Sequence, residues 1–235
     1  MSLLTIIDGA CGELNIAQPS TVIASTDLAT RQLLALARKE GKELARRFDW
    51  QVLLKEATFT TAAAETQIAS LSATFSDFAR IVNDTMWNRT QAWKVSGPLT
   101  PQQWQQRLAS AAQAGIRNFS RIRGDALIFN PVPTAGDYVY FEYISNKWCQ
   151  SSLAAPQSDW LADSDTALID EEVIRLGVVW RFLKAKGLDY AEEFRTYEMA
   201  LGDIFGSDGG SSVLNLSDEP EPMLSANIPE SNWSL

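Results

Sequence analysis

DTALIDEEVIRLGVVWRFLKAKGLDYAEEFRTYEMALGDIFG, residues 165–206, is the stretch whose reading decides the fold. Asp165 stands where a helix cap belongs. Leu168, Ile169, Val173, Leu176, Val179, Trp180 and Leu183 then recur at the spacing of one helical face. Gly187 closes that helix, since glycine takes the left-handed turn that ends helices at little cost. After the short connection Leu188–Tyr190, Asp189 caps a second helix with Glu192 three residues on. That helix carries Tyr190, Phe194, Tyr197, Leu201, Ile204 and Phe205, and Gly206 ends it. A link this short between two amphipathic helices predicts an antiparallel α-hairpin.

A helical hairpin needs partners for its apolar faces, and the N-terminus offers two. Leu3–Leu14 is a short amphipathic helix, broken by Gln18-Pro19-Ser20. Ser25 or Thr26 then caps a helix to about Phe48, with Leu33, Ala37, Leu44 and Phe48 along one face. Arg38, Lys39, Lys42, Arg46 and Arg47 decorate its other faces, and Gly41 reads as a kink or weak point.

From Trp50 the pattern turns to strands and loops. Ala57–Thr61, Phe78–Val82, Ala126–Phe129 and Tyr138–Ile144 read as strands. Thr100-Pro101-Gln102-Gln103 is a capping box opening a helix to about Gln113. Arg123-Gly124-Asp125 matches the integrin tripeptide, but a hairpin turn between strands explains it better. The expected fold class is α+β, mainly α. Residues 1–49 and 152–206 form a helical bundle from Leu3–Leu14, Ser25–Phe48, Ala167–Lys186 and Asp189–Phe205. Residues 50–151 form a β-rich insertion with one helix, and 207–235 an extended C-terminal arm.

Composition narrows the function classes. With 46% hydrophobic and 21% charged residues, most of the 235-residue chain can bury a core. No apolar run approaches the ~18–20 residues that span a membrane. Met1–Ala10 has no basic start and carries Asp8, which reads against a signal peptide. The absence of histidine removes the usual general base and the commonest transition-metal ligand. Two distant cysteines, Cys11 and Cys149, exclude a disulfide framework and a cysteine zinc site. No phosphate loop or nucleophile elbow is present.

The net charge of −9 is uneven, with the acidic excess concentrated after Pro156 and no Lys or Arg after Arg195. Phosphate repulsion makes such a chain a poor general nucleic-acid binder. The excess reads either as a solvated surface or as a face that meets or repels something specific. Asp163, Asp165, Asp170, Glu171 and Glu172 cluster. Oxygen ligands of this kind can hold Mg²⁺ or Ca²⁺, but their spacing fits no EF-hand, and a capped helix start explains them more simply. No metal and no cofactor is expected. Eight tryptophans are core or interface residues. From Ser207 the helical period stops, yet Val213, Leu214, Leu216, Met223, Leu224, Ile228 and Trp233 punctuate the segment. It reads either as disordered or as an arm that orders on a partner through these anchors.

Three segments carry a family resemblance. They are Phe48-Asp49-Trp50-Gln51 with Ala57–Thr61, Asp77–Thr90, and Gly97-Pro98-Leu99-Thr100-Pro101-Gln102-Gln103-Trp104. Phe119–Asp125, Phe141–Ser145 and Trp180–Lys184 extend it. Together they resemble the head-to-tail adaptors of tailed bacteriophages, also called connectors or tail tubular proteins. The resemblance implies a structural virion protein, not an enzyme, made in the host cytoplasm and sited in the neck. It implies a ring, usually twelvefold, beneath the portal protein, extending a DNA channel without specific DNA binding and docking the next tail component. It also implies a C-terminal extension reaching the portal, which gives the seven apolar residues of the arm their role. A near-neutral or acidic lining would let DNA slide, an expectation that fails if Arg38, Arg46 and Arg47 line the channel. Competing readings are another neck ring (a stopper or tail terminator), a carboxylate-dependent hydrolase, and a regulatory or chaperone protein using the tail for peptide-like recognition.

Overall fold

The structure, a computed structural model, describes residues 2–109 and 117–209. In chain order it contains α1 (Leu3–Glu13), α2 (Leu28–Arg47), β1 (Leu54–Thr60), β2 (Thr66–Ile68), α3 (Leu71–Thr74), β3 (Phe78–Ile81), β4 (Trp87–Asn88), β5 (Trp93–Lys94) and α4 (Pro101–Ala109). There follow β6 (Phe119–Arg123), β7 (Ala126–Asn130), β8 (Tyr138–Ser145), β9 (Cys149–Gln150), β10 (Pro156–Gln157), β11 (Thr166–Ala167), α5 (Glu171–Lys186) and α6 (Ala191–Asp208). The chain is a mixed α+β protein, 40% helical and 22% strand, with antiparallel sheets. It divides into two compact units, 2–54 with 146–209, and 55–145.

In the first unit α5 packs against α1, α2 and α6. The capping chemistry differs from the sequence expectation at three helix starts. Asp170, not Asp165, caps α5, accepting the Val173 N–H at 3.1 Å. The reason is that Thr166 and Ala167 pair with β9, so the chain is still extended there. Asp27, not Ser25 or Thr26, caps α2 through the Thr30 N–H at 2.9 Å. Tyr190, not Asp189, is the N-cap of α6 and makes no side-chain capping bond; Asp189 lies one residue earlier and accepts the Ala191 N–H at 3.2 Å. At its far end α6 runs through Gly206 to Asp208, because that glycine keeps a helical φ and the Asp208 carboxylate accepts the Gln51 N–H at 2.9 Å. Gly187 does close α5 as expected, with φ 72°.

Gly41 neither kinks nor ends α2, which is continuous from Leu28 to Arg47. Its missing side chain admits Trp148, since a Cβ there would lie 2.2 Å from the indole ring. Gly177 on α5 does the same for Glu40, whose Cδ would lie 2.4 Å from a Cβ. Both glycines serve close approach rather than flexibility.

The second unit holds a sheet running β1-β8-β4-β5, with β3 also paired to β8, and a three-stranded sheet β2-β7-β6. On β8, Val139, Phe141 and Tyr143 are buried while Tyr138 is exposed and Tyr140 and Glu142 are half-buried, the alternation of a strand with one face on a core. Leu71, Val95, Leu127 and Phe129 complete that core. Arg123-Gly124-Asp125 is the β6–β7 turn, with Gly124 at φ 65°. Its Asp125 carboxylate accepts the Ser70 and Ser72 hydroxyls, each at 2.5 Å, which accounts for the tripeptide structurally.

Asp77 gathers three donors: Lys55, the Tyr143 hydroxyl at 2.9 Å and the Ser145 hydroxyl at 3.1 Å. Burial alone would raise this carboxyl, but the bonds from Lys55, Tyr143 and Ser145 outweigh it and hold it below its ordinary value of 3.8. Burial and then Asp77 push the Tyr143 phenol up to about 12. The stabilisation from ionised Asp77 is therefore complete above pH 3.8 and lost as pH falls through the lower folded value. Asp77→Asn should flatten the acid limb of a pH-dependent denaturation curve. An unchanged limb would show that the cluster contributes nothing to acid stability.

Candidate interaction surfaces

Glu40 fixes how α2, α5 and α6 meet. It is fully buried, and its Oε2 accepts the Arg181 Nε–H at 2.5 Å. Its Oε1 accepts the Tyr197 hydroxyl at 2.5 Å. Arg181 also reaches Glu43 at 3.0 Å and covers the Trp180 ring at 4.5 Å. Burial pushes the Glu40 carboxyl up, against the opposing pull of Tyr197 and Arg181. Burial and then Glu40 push the Tyr197 phenol up in turn. The acid–arginine–phenol knot is closed by Gly177, so its chemistry is positional: it specifies the register of three helices.

The acidic residues singled out in the sequence turn to the backbone. Asp163 accepts the Val22 and Ile23 N–H groups at 3.1 and 2.8 Å. Asp165, 1% exposed, accepts those of Leu161 and Ala162 at 2.7 and 2.8 Å. The same loop receives the start of α1, whose Leu3 and Leu4 N–H groups donate to the Asp165 and Asp163 carbonyls at 2.8 and 3.1 Å. Glu171 and Glu172 occupy the first turn of α5, where acids favour the helix dipole. Among the described residues no group of three or more Cys, Asp or Glu is placed to hold a metal ion. No helix among them is long and apolar enough to cross a membrane.

Both cysteines are free and buried. Burial, followed by Asp165 and Asp159, pushes the Cys149 thiol up to about 12. Since the thiolate is the nucleophile, native Cys149 should react with a disulfide reagent at least ~100-fold more slowly than after unfolding. Equal rates would place Cys149 at an accessible surface.

Of the tryptophans, Trp50, Trp104, Trp148 and Trp160 are fully buried and Trp180 is 7% exposed, so these five are core residues. Trp87 and Trp93 are half-buried. Trp233, with Val213, Leu214, Leu216, Met223, Leu224 and Ile228, lies outside the described residues. What is described is the end of α6, which precedes them in the chain. Phe205 stacks on Phe48 at 4.6 Å and lies 5.4 Å from Trp50, so the end of α6 is clamped to the segment after α2. Beside it runs a groove of about 560 Å³ lined by Trp50, Val52, Ile169, Ile204 and Asp208 among others.

The cations of α2 divide into two sets. Arg38 pairs with Asp159 at 3.1 Å and donates to the Trp160 carbonyl at 2.8 Å. Arg47 grips Glu198 through two bonds of 2.9 and 2.7 Å. Arg31, Lys39 and Arg46 are exposed and show no ion pair among the described residues. Sequence reading missed the Glu40 knot, although its signal was available. Glu40 falls on the apolar stripe of α2, between Ala37 and Leu44, where a charge requires a buried partner. Comparison with known proteins finds no matching family model and no matching curated protein.

Proposed function

We propose that the chain is a structural head-to-tail adaptor of a tailed bacteriophage. Its helical unit acts as the bundle core of a ring beneath the portal protein, twelvefold as in the family it resembles. The ring extends the DNA channel, offers the docking surface for the next neck or tail protein, and assembles in the host cytoplasm before residing in the virion neck. The observation that carries this reading is the split helical unit, built from 2–54 and 146–209 with a β-rich unit inserted between them in sequence, and with the end of α6 clamped at Phe48 and Trp50. A clamped helix end gives the arm a fixed origin from which Val213, Leu214, Leu216, Met223, Leu224, Ile228 and Trp233 reach the portal.

The test is native mass measurement of the full chain mixed with the portal protein of the same phage. One-to-one stoichiometry is expected, with loss of at least ~100-fold in affinity on removing residues 210–235, since several buried apolar anchors go at once. A chain that ignores the portal would remove the reading and reopen the hydrolase alternative.

A further inference from the structure

Two complementary faces lie on opposite sides of the helical unit. Gly177 and Arg181 turn one side of α5 toward Glu40 of α2. At about 100° per residue, Leu176, Val179 and Leu183 fall on roughly the opposite side. They floor a groove between α1, α5 and α6, completed by Leu14 and by Leu188, which is 56% exposed. The groove comprises adjoining spaces of about 370 and 200 Å³ that share Glu13, Val179 and Glu193. Its rim is acidic. Glu13 and Glu172 share the single cation Arg175, Glu192 has Arg195 at 3.7 Å, and Glu193 shows no ion pair among the described residues.

The outer face of α2 has the opposite character. Leu28, Arg31, Ala35, Lys39, Lys42 and Arg46 follow one another at steps of three or four and are all exposed. Leu28 is 79% exposed at one end of this stripe. Lys42 is held by Asp159 at 2.6 Å, which leaves Arg31, Lys39 and Arg46 to meet charge from outside. A basic helix with an apolar end and an apolar groove with an acidic rim match in both charge and shape.

We propose that the α2 stripe of one copy docks into the α1–α5–α6 groove of the next. The inference rests on the adaptor reading and names the surfaces that would join its subunits. Because the two patches differ and lie on opposite sides of one unit, the contact is head-to-tail, the kind that closes a ring when the rotation permits.

The test is sedimentation and native mass of the full chain from about 1 μM to 1 mM, at low and high salt. Self-association that weakens with salt is expected. Glu192→Lys with Glu193→Lys should weaken it by about tenfold or more, and so should Arg31→Glu with Lys39→Glu. A chain carrying all four substitutions should recover it, because the reversed charges meet again. Leu188→Asp should weaken it without recovery. Arg31, Lys39, Leu188 and Glu192 are exposed and Glu193 is half-buried, so unchanged melting curves will separate these effects from misfolding.

Association that ignores both reversals, or reversals that do not rescue one another, would overturn the assigned surfaces while leaving a ring in place. A chain that stays monomeric throughout would overturn the contact itself. Portal binding, measured separately, then decides whether the adaptor reading survives.

Discussion

Glu40→Ala is expected to lower the stability of the protein by about 3–5 kcal/mol, because removing one partner of a buried ion pair strands the other. Arg181, 10% exposed, would keep only Glu43, and the Tyr197 hydroxyl would lose its acceptor. Chemical denaturation with a Trp signal measures the loss. A double variant, Glu40→Met with Arg181→Met, should recover most of it, since well-packed apolar groups replace such pairs at little cost. The remaining deficit should be about 1 kcal/mol for the unpaired Tyr197 hydroxyl. A loss below about 1 kcal/mol in the alanine variant would show that the knot is not a structural pivot. The pH dependence has a definite sign. Burial raises the Glu40 carboxyl above its ordinary 4.5, so the native state keeps this proton longer than the unfolded chain does. This contribution is full below pH 4.5 and is lost as pH rises through the folded value. Glu40→Gln should therefore gain stability relative to the parent as pH is raised across that window.

Gly41→Ala is the second large effect, and its sign opposes the helix scale. In an open helix this exchange gains up to about 1 kcal/mol. Here the new methyl group would sit 2.2–2.6 Å from three atoms of the Trp148 ring. The ring has little room to yield, because its Nε1–H donates to the Ser158 carbonyl at 2.9 Å and it meets Trp160 edge-on at 4.9 Å. Overpacking of this kind costs about 1–3 kcal/mol beyond the propensity gain. A net loss near 2 kcal/mol is expected, read from thermal or urea unfolding. Gly202→Ala is the control, with open space at its Cβ and an expected small gain. In a double-mutant cycle, Trp148→Ala should relieve most of the Gly41→Ala penalty. Additive losses would mean that the two residues do not meet.

Long amphipathic elements were legible in the sequence because their period is set by the helix itself. The positions of α1, α2, α5 and α6 agree with the expected segments to within a few residues. Helix starts were less legible, since Asp165 and Asp170 have the same capping chemistry and only the β9–β11 pairing decides between them. Gly41 looked like a weakness because a helix scale sees no neighbour, whereas its role is defined by Trp148, more than a hundred residues away. Of the interaction surfaces, the basic face of α2 could be read directly. The groove could not, because it combines side chains from α1, α5 and α6 whose proximity is a product of folding. The arm residues named from the sequence lie outside the described region, so their role rests on composition and resemblance.

The split of the helical unit sets an order of events during synthesis. Glu40 leaves the ribosome 141 residues before Arg181 and 157 before Tyr197. At elongation rates of about 5–20 residues per second the wait is roughly 7–30 s. In that interval the whole of 55–145 is produced, with every strand of its sheets and its own core in hand. The inserted unit can thus close while α1 and α2 still await α5. The nascent chain spends that time with an apolar stripe and an uncompensated glutamate on view to chaperones and proteases, and the first helices made are among the last to be completed.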